Sequence, residues 1–409
     1  MIVSVLAKLS LKKPQTGRVV VFDTYSERHF RPILQDIKPL VFDVSLPTIN
    51  FWVLLTSLKF GMPSRRNYLC AFILRSKAEL VLTTIDNSPL IYQIKSDLPS
   101  VTILVVQNGR RSTFGKSPFT SFVDELKRSS AMRPNSVDYY FTFGSTEKLQ
   151  FERYISAEFR AIGNFKSNYL DSQKFYESPG VLTYISSFPN FDEDPMATVD
   201  SDETYLFFED QAISYRQYFQ AELVVAKWLA AYCAANGLSF QIAGKRSSRT
   251  PQEEAFFRSS ILGNWKFKAC NRESDSYQTL FESRYVASVD SSLAYEMFGR
   301  GKRTMFFTIR GEFTATPFLK CTKFGYPAIT EQRGPMWTNS FDEEEFLRIT
   351  RYVTTCEDAE WKAVVNQYSP IVMEYDPSNS KLTETITACL SGHSPEISRM
   401  QSIISEVYE

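Results

Sequence analysis

Residues 286–311, VASVDSSLAYEMFGRGKRTMFFTIRG, bring hydroxyl, carboxylate and cationic side chains into one short strand–helix–strand pattern. The spacing predicts a strand, a short helix that begins at Ser291 or Ser292, and a second strand that ends at Arg310. The free N–H groups and the dipole at the start of such a helix attract an anion. Glu296 follows one turn later and can reach a sugar hydroxyl of a ligand seated there. This corner therefore predicts a pocket for one phosphate and one carboxylate.

Basic residues beside this corner strengthen the prediction. Lys302 and Arg303 follow the helix, and we expect them to face the same pocket. A second basic loop, KRSSRT, begins with Lys245 and Arg246 at the end of the predicted strand LSFQIAG. Two cationic loops at one sheet edge favour a phosphorylated ligand, so Lys245 and Arg246 are predicted to bind the donor.

A purely structural explanation of the same residues stays open. Ser291 would then only cap the helix, and Glu296 would pair with Arg300 four residues later. The basic side chains would be solvated and would bind no ligand.

Polar side chains also follow two predicted strands in the first half of the chain. Asp86 and Asn87 come directly after AELVLTTI, and Asn108 and Arg110 follow VTILVVQ. Because parallel strands end at the same edge of a sheet, we expect these four residues to be catalytic residues of one cleft. Asp86 is the candidate nucleophile of a retaining reaction or general base of an inverting one. The alternative is that Asp86 and Asn87 cap the helix at Pro89.

The acidic segment 192–202 and the two histidines give weaker signals. Asp-x-Asp pairs at 192–194 and 200–202 resemble a metal clamp, but their proline-containing surroundings predict a solvated hinge, and no metal is expected. His29 follows a predicted strand and is a candidate base, although a surface position is favoured. With only His29 and His393 in the sequence, no Ser–His–Asp arrangement is predicted.

The overall composition excludes several classes of protein. The 409 residues carry 46 basic and 46 acidic side chains, so no global field favours nucleic acid. Six cysteines lie far apart without a CxxC pair, which indicates reduced, structural thiols in a cytosolic protein. No sequence run approaches the roughly 18 apolar residues that a membrane span needs. We therefore expect a cytoplasmic protein, with peripheral membrane attachment left open.

The order of the predicted elements indicates the fold class. Short β-rich runs such as GRVVVFD and AELVLTTID alternate with helical stretches, and the alternation resumes after the acidic segment. This pattern predicts an α/β protein whose parallel sheets are covered by helices on both faces. We place an N-terminal acceptor and catalytic domain at residues 1–177, a C-terminal donor domain at residues 178–390 and a helical tail at residues 391–409.

Several segments, taken together and in order, resemble a family of bacterial surface-carbohydrate biosynthesis proteins. They are TTIDNSPLIYQI, VVQNGRR, VDYYFTFG, AIGNFKSN, SVDSSLAYEMFGRGKR and FFTIR. The resemblance covers most of the chain, from about Gly17 to Leu390. Its most specific part is SSLAYE, where the family typically has STLGYE, so the departures at Ser292 and Ala294 are mild. The family contains transferases of lipopolysaccharide and O-antigen gene clusters.

This resemblance implies the GT-B fold, with two Rossmann-like domains facing a central cleft and a nucleotide-sugar donor in the C-terminal half. Within that fold the chain is similar in outline to retaining transferases that move β-Kdo from CMP-Kdo. Those enzymes are metal-independent and are thought to form a covalent sugar–carboxylate intermediate. The resemblance thus implies a glycosyltransferase without a cofactor, with CMP-Kdo as the best candidate donor. In a retaining reaction of this kind, Asp86 is the nucleophile that its position after the strand predicts.

The resemblance also implies where such an enzyme works. The acceptor would be a lipid-linked or oligosaccharide glycan at the inner face of the bacterial cytoplasmic membrane, and other glycan-assembly enzymes would be partners. Two alternatives remain. One is a non-catalytic scaffold that binds glycan or nucleotide, and the other is an epimerase or hydrolase of nucleotide sugars on the same fold.

Overall fold

The computed structural model describes residues 8–35, 37–45, 48–110, 114–188, 201–245, 250–314 and 322–392. The strands of the first half are β1 (Lys8–Ser10), β2 (Val19–Phe22), β3 (Leu40–Phe42), β4 (Thr48–Asn50), β5 (Leu80–Thr83), β6 (Thr102–Val106), β7 (Phe114–Gly115), β8 (Ser136–Thr142) and β9 (Ser156–Ala161). The helices of this half are α1 (Thr24–Leu34), α2 (Phe51–Ser57), α3 (Arg65–Ser76), α4 (Pro89–Tyr92), α5 (Phe122–Met132) and α6 (Ser145–Phe151).

The second half repeats the alternation of strands and helices. Its strands are β10 (Ser178–Ile185), β11 (Thr204–Phe208), β12 (Gln211–Ser214), β13 (Ser239–Ala243), β14 (Lys266–Lys268), β15 (Ser283–Ser288), β16 (Arg303–Phe307) and β17 (Trp337–Thr338). Its helices are α7 (Tyr215–Ala235), α8 (Thr250–Arg258), α9 (Glu273–Phe281), α10 (Ser292–Gly299), α11 (Arg310–Phe313), α12 (Glu343–Thr355), α13 (Asp358–Val372) and α14 (Ser380–Ser391).

Parallel strands form the six-stranded sheet of the first domain, in the order β3–β2–β5–β6–β8–β9. Strands β2 and β5 are buried along their whole length because apolar cores lie on both faces. Val20 and Val81 belong to the core that includes α3, whereas Val19 and Leu80 belong to the core that includes α1. This double burial explains why both strands are continuous apolar runs in the sequence.

Parallel strands also form the six-stranded sheet of the second domain, in the order β14–β13–β10–β15–β16–β17. Counted along the chain from β10, this order is 3-2-1-4-5-6, which is that of the Rossmann sheet. The order reverses between β10 and β15, and such sheets bind ligands outside the carboxyl ends of the strands at this point. The predicted α/β class with two Rossmann-like sheets is confirmed.

A short antiparallel sheet connects the two halves of the chain. Strands β11 and β12 form a hairpin, and β11 also pairs with β7 of the first half. Local sequence pattern did not predict this pairing because the two strands lie far apart in the chain. The acidic segment predicted as a hinge precedes β11, and its residues 192–200 lie outside the described residues.

The chain returns to the first domain after α13. Glu374 donates its N–H to the carbonyl oxygen of Phe143 at 2.7 Å, and α14 then packs Leu382 and Ile386 into the core that contains Val19. The sequence predicted that the second domain extends to residue 390. Its last helix, α14, packs on the first domain instead. The physical reason is that the apolar face of α14 completes the first core. The predicted tail lies outside the described residues from position 393 onward.

Candidate active site between the two domains

The carboxyl edges of the two sheets meet across a narrow gap. Arg110, which follows β6, places its guanidinium carbon 4.8 Å from the ring centroid of Tyr295 in α10. Thr146 of α6 donates its hydroxyl to the carbonyl oxygen of Gly325 at 3.3 Å. The gap lined by these residues has a volume of about 10 Å³, the space of about one water molecule. The two domains therefore face each other across a cleft, as the predicted GT-B fold requires, and are closed together here.

Helix α10 begins at the carboxyl end of β15, as the sequence predicts. Ser291 occupies the N-cap position, but its hydroxyl makes no capping hydrogen bond within the described residues. The N–H of Ser291 donates instead to the hydroxyl of Ser288 at 2.9 Å. Ser292 lines the gap together with Arg110 and Tyr295. The start of α10 thus lies at the gap without a cap from Ser291, an arrangement that suits an anion.

Arg310 lies at the same sheet edge and is fully buried. Its Nε and Nη2 donate to the two carboxylate oxygens of Asp290, each at 2.8 Å. It also donates to the carboxylate of Glu222, and its guanidinium carbon lies 4.1 Å from the ring centroid of Tyr218. Because two carboxylates already neutralise this cation, Arg310 fixes the loop that leads into α10. Its predicted contact with a donor would require those ion pairs to open.

The other predicted donor contacts are less buried or lie outside the described residues. Lys245 is exposed just after β13, and Arg246 lies outside the described residues.

Asp290 is surrounded by cations at the carboxyl edge of the second sheet. Burial alone would raise the pKa of Asp290, but Arg310, Arg110 and Lys245 together hold this pKa below its usual value. Asp290 is therefore charged at neutral pH, and its carboxylate attracts these three cations.

Glu147 is a carboxylate of the gap that the sequence analysis did not single out. Only 5% of it is exposed, and its carboxylate accepts the N–H of Gly144 at 3.2 Å. Burial raises the pKa of Glu147 to about 7, and the nearby Arg110 opposes only part of this shift. A carboxyl group that titrates near neutral pH in a cleft can take up and release a proton. Its sequence signal, Ser-Thr-Glu after a strand, is that of a helix cap, which indicates structure rather than chemistry.

The four catalytic candidates of the first domain are not equally placed. Arg110 reaches the gap, and Asn87 is exposed. Asp86 is fully buried, and its carboxylate accepts the N–H of Asn108 at 3.2 Å and the hydroxyl of Tyr140 at 3.3 Å. The side-chain oxygen of Asn108 is buried without a hydrogen-bond partner among the described residues. Asp86 therefore orients the loop that carries Asn108 and Arg110.

Glu296 lies at the boundary between the domains, one turn after the start of α10. It is 6% exposed, and its Oε2 accepts the hydroxyl of Tyr277 at 2.7 Å. The pKa of Glu296 is raised, mainly by burial. Hydrogen bonds from Tyr277 and from the first-domain residues Asn164 and Ser167 oppose part of this shift. Arg300, the partner in the structural alternative, donates to the carbonyl oxygens of Ser167 and Leu170 instead. Glu296 is thus held by hydroxyl and amide groups, the partners that a sugar would also offer.

Lys302 and Arg303 do not lie at this site, contrary to the prediction. Helix α10 runs back across the sheet, because β15 and β16 are parallel neighbours and the connecting helix must return to the starting edge. Both residues therefore lie at the amino edge of the second sheet, where β16 begins. The cationic cluster predicted for one corner is divided between two opposite edges.

His29 is only a weak base in its present position. Its ring packs 4.8 Å from the ring centroid of Tyr25 and 5.8 Å from that of Phe165. Burial, together with Lys166 and Arg28, lowers the pKa of His29 to about 4. The imidazole is therefore neutral at physiological pH, and protonation requires acid.

Neither a metal site nor a membrane span is found in the part of the chain that the structure describes. Within those residues, His, Cys, Asp and Glu nowhere gather in a group of three able to hold a metal ion. The acidic pairs at 192–194 and at position 200 lie outside them. Likewise, none of the described helices combines the length and apolarity needed to cross a bilayer.

Fold and cleft together define a two-domain GT-B-like protein whose candidate site lies between the carboxyl edges of its sheets. A family model described as "putative O-antigen biosynthesis protein" matches residues 104–389, well over half of the chain. The chain belongs to this family, which confirms the predicted link to surface carbohydrates. Comparison with curated proteins finds no significant match.

Solved structures of similar architecture have low sequence identity to this chain. S. aureus MnaA with UDP is 10% identical, with 94% of this chain and 97% of that chain covered at a TM-score of 0.45. UDP-GlcNAc 2-epimerase from Neisseria meningitidis, bound to UDP-GlcNAc, is 12% identical, with 92% and 99% covered at a TM-score of 0.47. The wall teichoic acid polymerase TagF is 10% identical, with 98% and 91% covered at a TM-score of 0.44. All three TM-scores lie below 0.5.

Proposed function

We propose that the protein is a glycosyltransferase of bacterial surface-polysaccharide synthesis. Its second domain would bind a nucleotide sugar, and its first domain would bind a glycan acceptor. Membership of the O-antigen biosynthesis family supports a role in glycan assembly. The observation that carries the proposal is the meeting of Arg110 with Ser292 and Tyr295 of α10, where the two sheets face each other. A helix start and a cation from the facing domain are suited to the phosphate of an activated sugar.

The gap also holds the groups that an inverting transfer needs. The acceptor hydroxyl oxygen would bond to the anomeric carbon as the bond from that carbon to the donor phosphate breaks. Glu147 would take the hydroxyl proton, since a pKa of about 7 suits a general base at neutral pH. Arg110 would stabilise the negative charge that develops on the departing phosphate. This chemistry needs no resident cofactor, and a side-chain cation replaces a metal ion.

A retaining transfer from CMP-Kdo is the more specific form of the proposal. That donor carries one phosphate and one sugar carboxylate, and Arg110 and Lys245 are cations on facing domains. The predicted nucleophile, Asp86, would have to release Asn108 and Tyr140 before its carboxylate could reach a sugar. The structure of the gap therefore supports proton transfer by Glu147 more directly than attack by Asp86.

Binding of a nucleotide sugar requires that the two domains separate. Ligand pockets for molecules of this size enclose roughly 300–1,000 Å³, whereas the gap has a volume of about 10 Å³. We propose that the domains open by a hinge motion, admit donor and acceptor, and close to exclude water. The acceptor would be presented at the inner face of the cytoplasmic membrane, with the protein attached peripherally.

The donor site can be tested by nucleotide binding to the purified protein. Thermal shift and calorimetry with CMP, UDP and CDP should show stabilisation by at least one nucleotide. Lys245→Ala should weaken this binding severalfold because an exposed cation at the carboxyl edge is lost. Lys266→Ala is the matched control, since Lys266 is also exposed but lies at the start of β14. Absence of any nucleotide effect, or equal losses in both variants, would overturn the proposed donor site.

The reaction class can be tested by nucleotide release from CMP-Kdo and UDP-sugars, with and without membrane-derived glycan. A transferase releases nucleotide only when an acceptor is present, and Arg110→Gln should abolish that release. Release without an acceptor would indicate a hydrolase, and isomerised donor would indicate an epimerase. Nucleotide binding without turnover under every condition would instead favour a scaffold.

A further inference from the structure

A second cavity opens at the amino edge of the second sheet, on the opposite side of that domain from the gap. Its volume is about 270 Å³. The wall combines the segment that links the two domains with the starts of β15, β16 and α13. Its charged lining residues are four cations and two carboxylates, namely Arg284, Arg300, Lys302, Arg303, Glu177 and Asp358. The cavity therefore has an excess of two positive charges.

Two of these cations are held in place by backbone oxygens. Only 11% of the Lys302 side chain is exposed, and its amine donates to the carbonyl oxygens of Phe281 and Ser283, each at 2.7 Å. The side chain of Arg303 is 6% exposed and donates to the carbonyl oxygen of Val353 at 2.9 Å. Since these contacts fix both cations before any ligand arrives, little ordering entropy is lost on binding.

An exposed carboxylate occupies the mouth of the cavity. Asp358 is 80% exposed, yet it accepts from Arg303 at 2.7 Å and from Arg284 at 2.8 Å. Glu177 accepts from Arg284 at 2.8 Å and also contacts Lys302. Solvent screening makes an ion pair with such an exposed partner weak. An external oxyanion can therefore replace or join Asp358 at the two arginines.

We propose that this cavity binds the phosphate group of a small molecule, through Arg284 and Arg303 with Lys302 behind them. The guanidinium group of Arg284 can bind phosphate in a bidentate manner, and Arg303 offers the N–H that now reaches Asp358. The excess positive charge favours an anion over a neutral ligand. The start of α13 adjoins the cavity, and within the described residues Glu357 gives it no side-chain cap. The site lies at the other edge of the sheet from the gap, so it does not depend on the proposed transferase reaction.

The ligand would also contact the connection between the domains. Glu177 directly precedes β10, the first strand of the second sheet, and it shares Arg284 and Lys302 with the proposed phosphate. A bound phosphate would compete with Glu177 for these two cations. Occupancy would therefore loosen the linker from the second domain. The proposed opening of the gap depends on this linker.

Calorimetric titration with inorganic phosphate and with pyrophosphate at low salt tests this site. Arg284→Gln should weaken binding at least fivefold because one guanidinium fork is lost. Asp358→Asn should strengthen binding severalfold because a competing carboxylate is removed, a gain that misfolding cannot produce. Arg333→Gln, which changes an exposed arginine elsewhere in the domain, should leave the affinity unchanged.

Three results would overturn the proposal. The first is that the wild-type protein binds neither probe, and the second is that Arg284→Gln and Asp358→Asn both leave the affinity unchanged. The third is that Arg110→Gln, at the gap, removes the binding, which would place the phosphate at the proposed donor site instead. Conversely, loss of nucleotide binding in Lys245→Ala with phosphate binding intact would separate the two sites.

Discussion

Glu147 has a raised pKa that its local sequence does not predict. Glu147 caps its own helix through the N–H of Gly144, as many glutamates do. Its unusual feature is burial at the gap, which Tyr295 of α10 and the residues Val372 and Met373 also line. This burial removes water from the carboxylate and raises the pKa of Glu147 to about 7. Sequence reasoning could identify the cap but not the burial.

We predict that Glu147 makes the stability of the protein fall as pH rises from about 4.5 to 7. A raised carboxyl pKa means that the folded state binds more protons than the unfolded state in this range, so the free energy of unfolding decreases with pH. The shift from the ordinary value to about 7 corresponds to roughly 3 kcal/mol as an upper bound. Urea unfolding at pH 5 and pH 7 should show this fall in the wild-type protein and a smaller one in Glu147→Gln.

The control for this prediction is Glu152→Gln. Glu152 follows the same helix, but nearly half of its side chain is exposed, so its replacement should leave the pH dependence as it is. Equal pH dependence in the wild type and Glu147→Gln would show that Glu147 is charged throughout this range. Its proposed role as a base with a pKa near neutrality would then be wrong.

Arg310 is a second residue whose importance comes from distant partners. We predict that Arg310→Met lowers the free energy of unfolding by about 3–5 kcal/mol, because the buried carboxylate of Glu222 and the 15% exposed carboxylate of Asp290 lose their counter-charge. Arg310→Lys should lower it less, since it keeps the charge but loses the bidentate contact. Arg333→Met, at an arginine side chain that is 70% exposed, should change stability by less than about 1 kcal/mol. Denaturant unfolding of the three variants measures these differences, and similar values for Arg310→Met and Arg333→Met would contradict the prediction.

At the scale of elements, periodicity predicted the parallel strands and the short helix α10, because both features depend on local sequence. It failed where the path of the chain between elements decides the outcome. Lys302 and Arg303 follow α10 closely in the sequence, yet the return of that helix carries them to the opposite sheet edge. The pairing of β7 with β11 and the return of α14 to the first domain likewise depend on contacts between distant segments.

The segment between α13 and α14 depends on glycines that allow close backbone contact. We predict that Gly163→Ala destabilises the protein severely, because a Cβ at this position would lie 1.8 Å from the carbonyl oxygen of Glu374. Gly237→Ala is a matched control: Gly163 has φ +73° and Gly237 has φ +68°, but a Cβ at Gly237 would meet no described atom within 4 Å. Gly237→Ala should lower the free energy of unfolding only by the cost of a left-handed backbone at alanine, about 1–2 kcal/mol.

Thermal unfolding of both variants separates the two contributions. Backbone conformation affects them alike, so the additional loss in Gly163→Ala reports the contact with the crossing segment. If the two variants have the same melting temperature, the segment is able to move away and the close approach is unimportant for stability.

At the scale of the whole molecule, the polypeptide passes between the two domains twice, once through the linker before β10 and once through the segment before α14. The second connection matters because α14 belongs to the core of the first domain although it follows the second in sequence. The proposed opening of the gap would therefore have to bend both connections together. Two connections favour a hinge over free separation of the domains, and a hinge would bring Arg110 back to α10 on closure.

The same arrangement predicts that a substitution near the C-terminus destabilises the N-terminal domain. Leu382 is fully buried in the core that contains Val19 and Leu80, so Leu382→Ala leaves a cavity and should lower the free energy of unfolding by about 2–5 kcal/mol. Leu347→Ala, at a leucine that is 38% exposed on α12, should have a much smaller effect. Hydrogen exchange identifies the domain concerned: exchange should accelerate in β2 and β5 for Leu382→Ala while β10 and β15 stay protected. Faster exchange confined to the second domain would show that α14 does not stabilise the first.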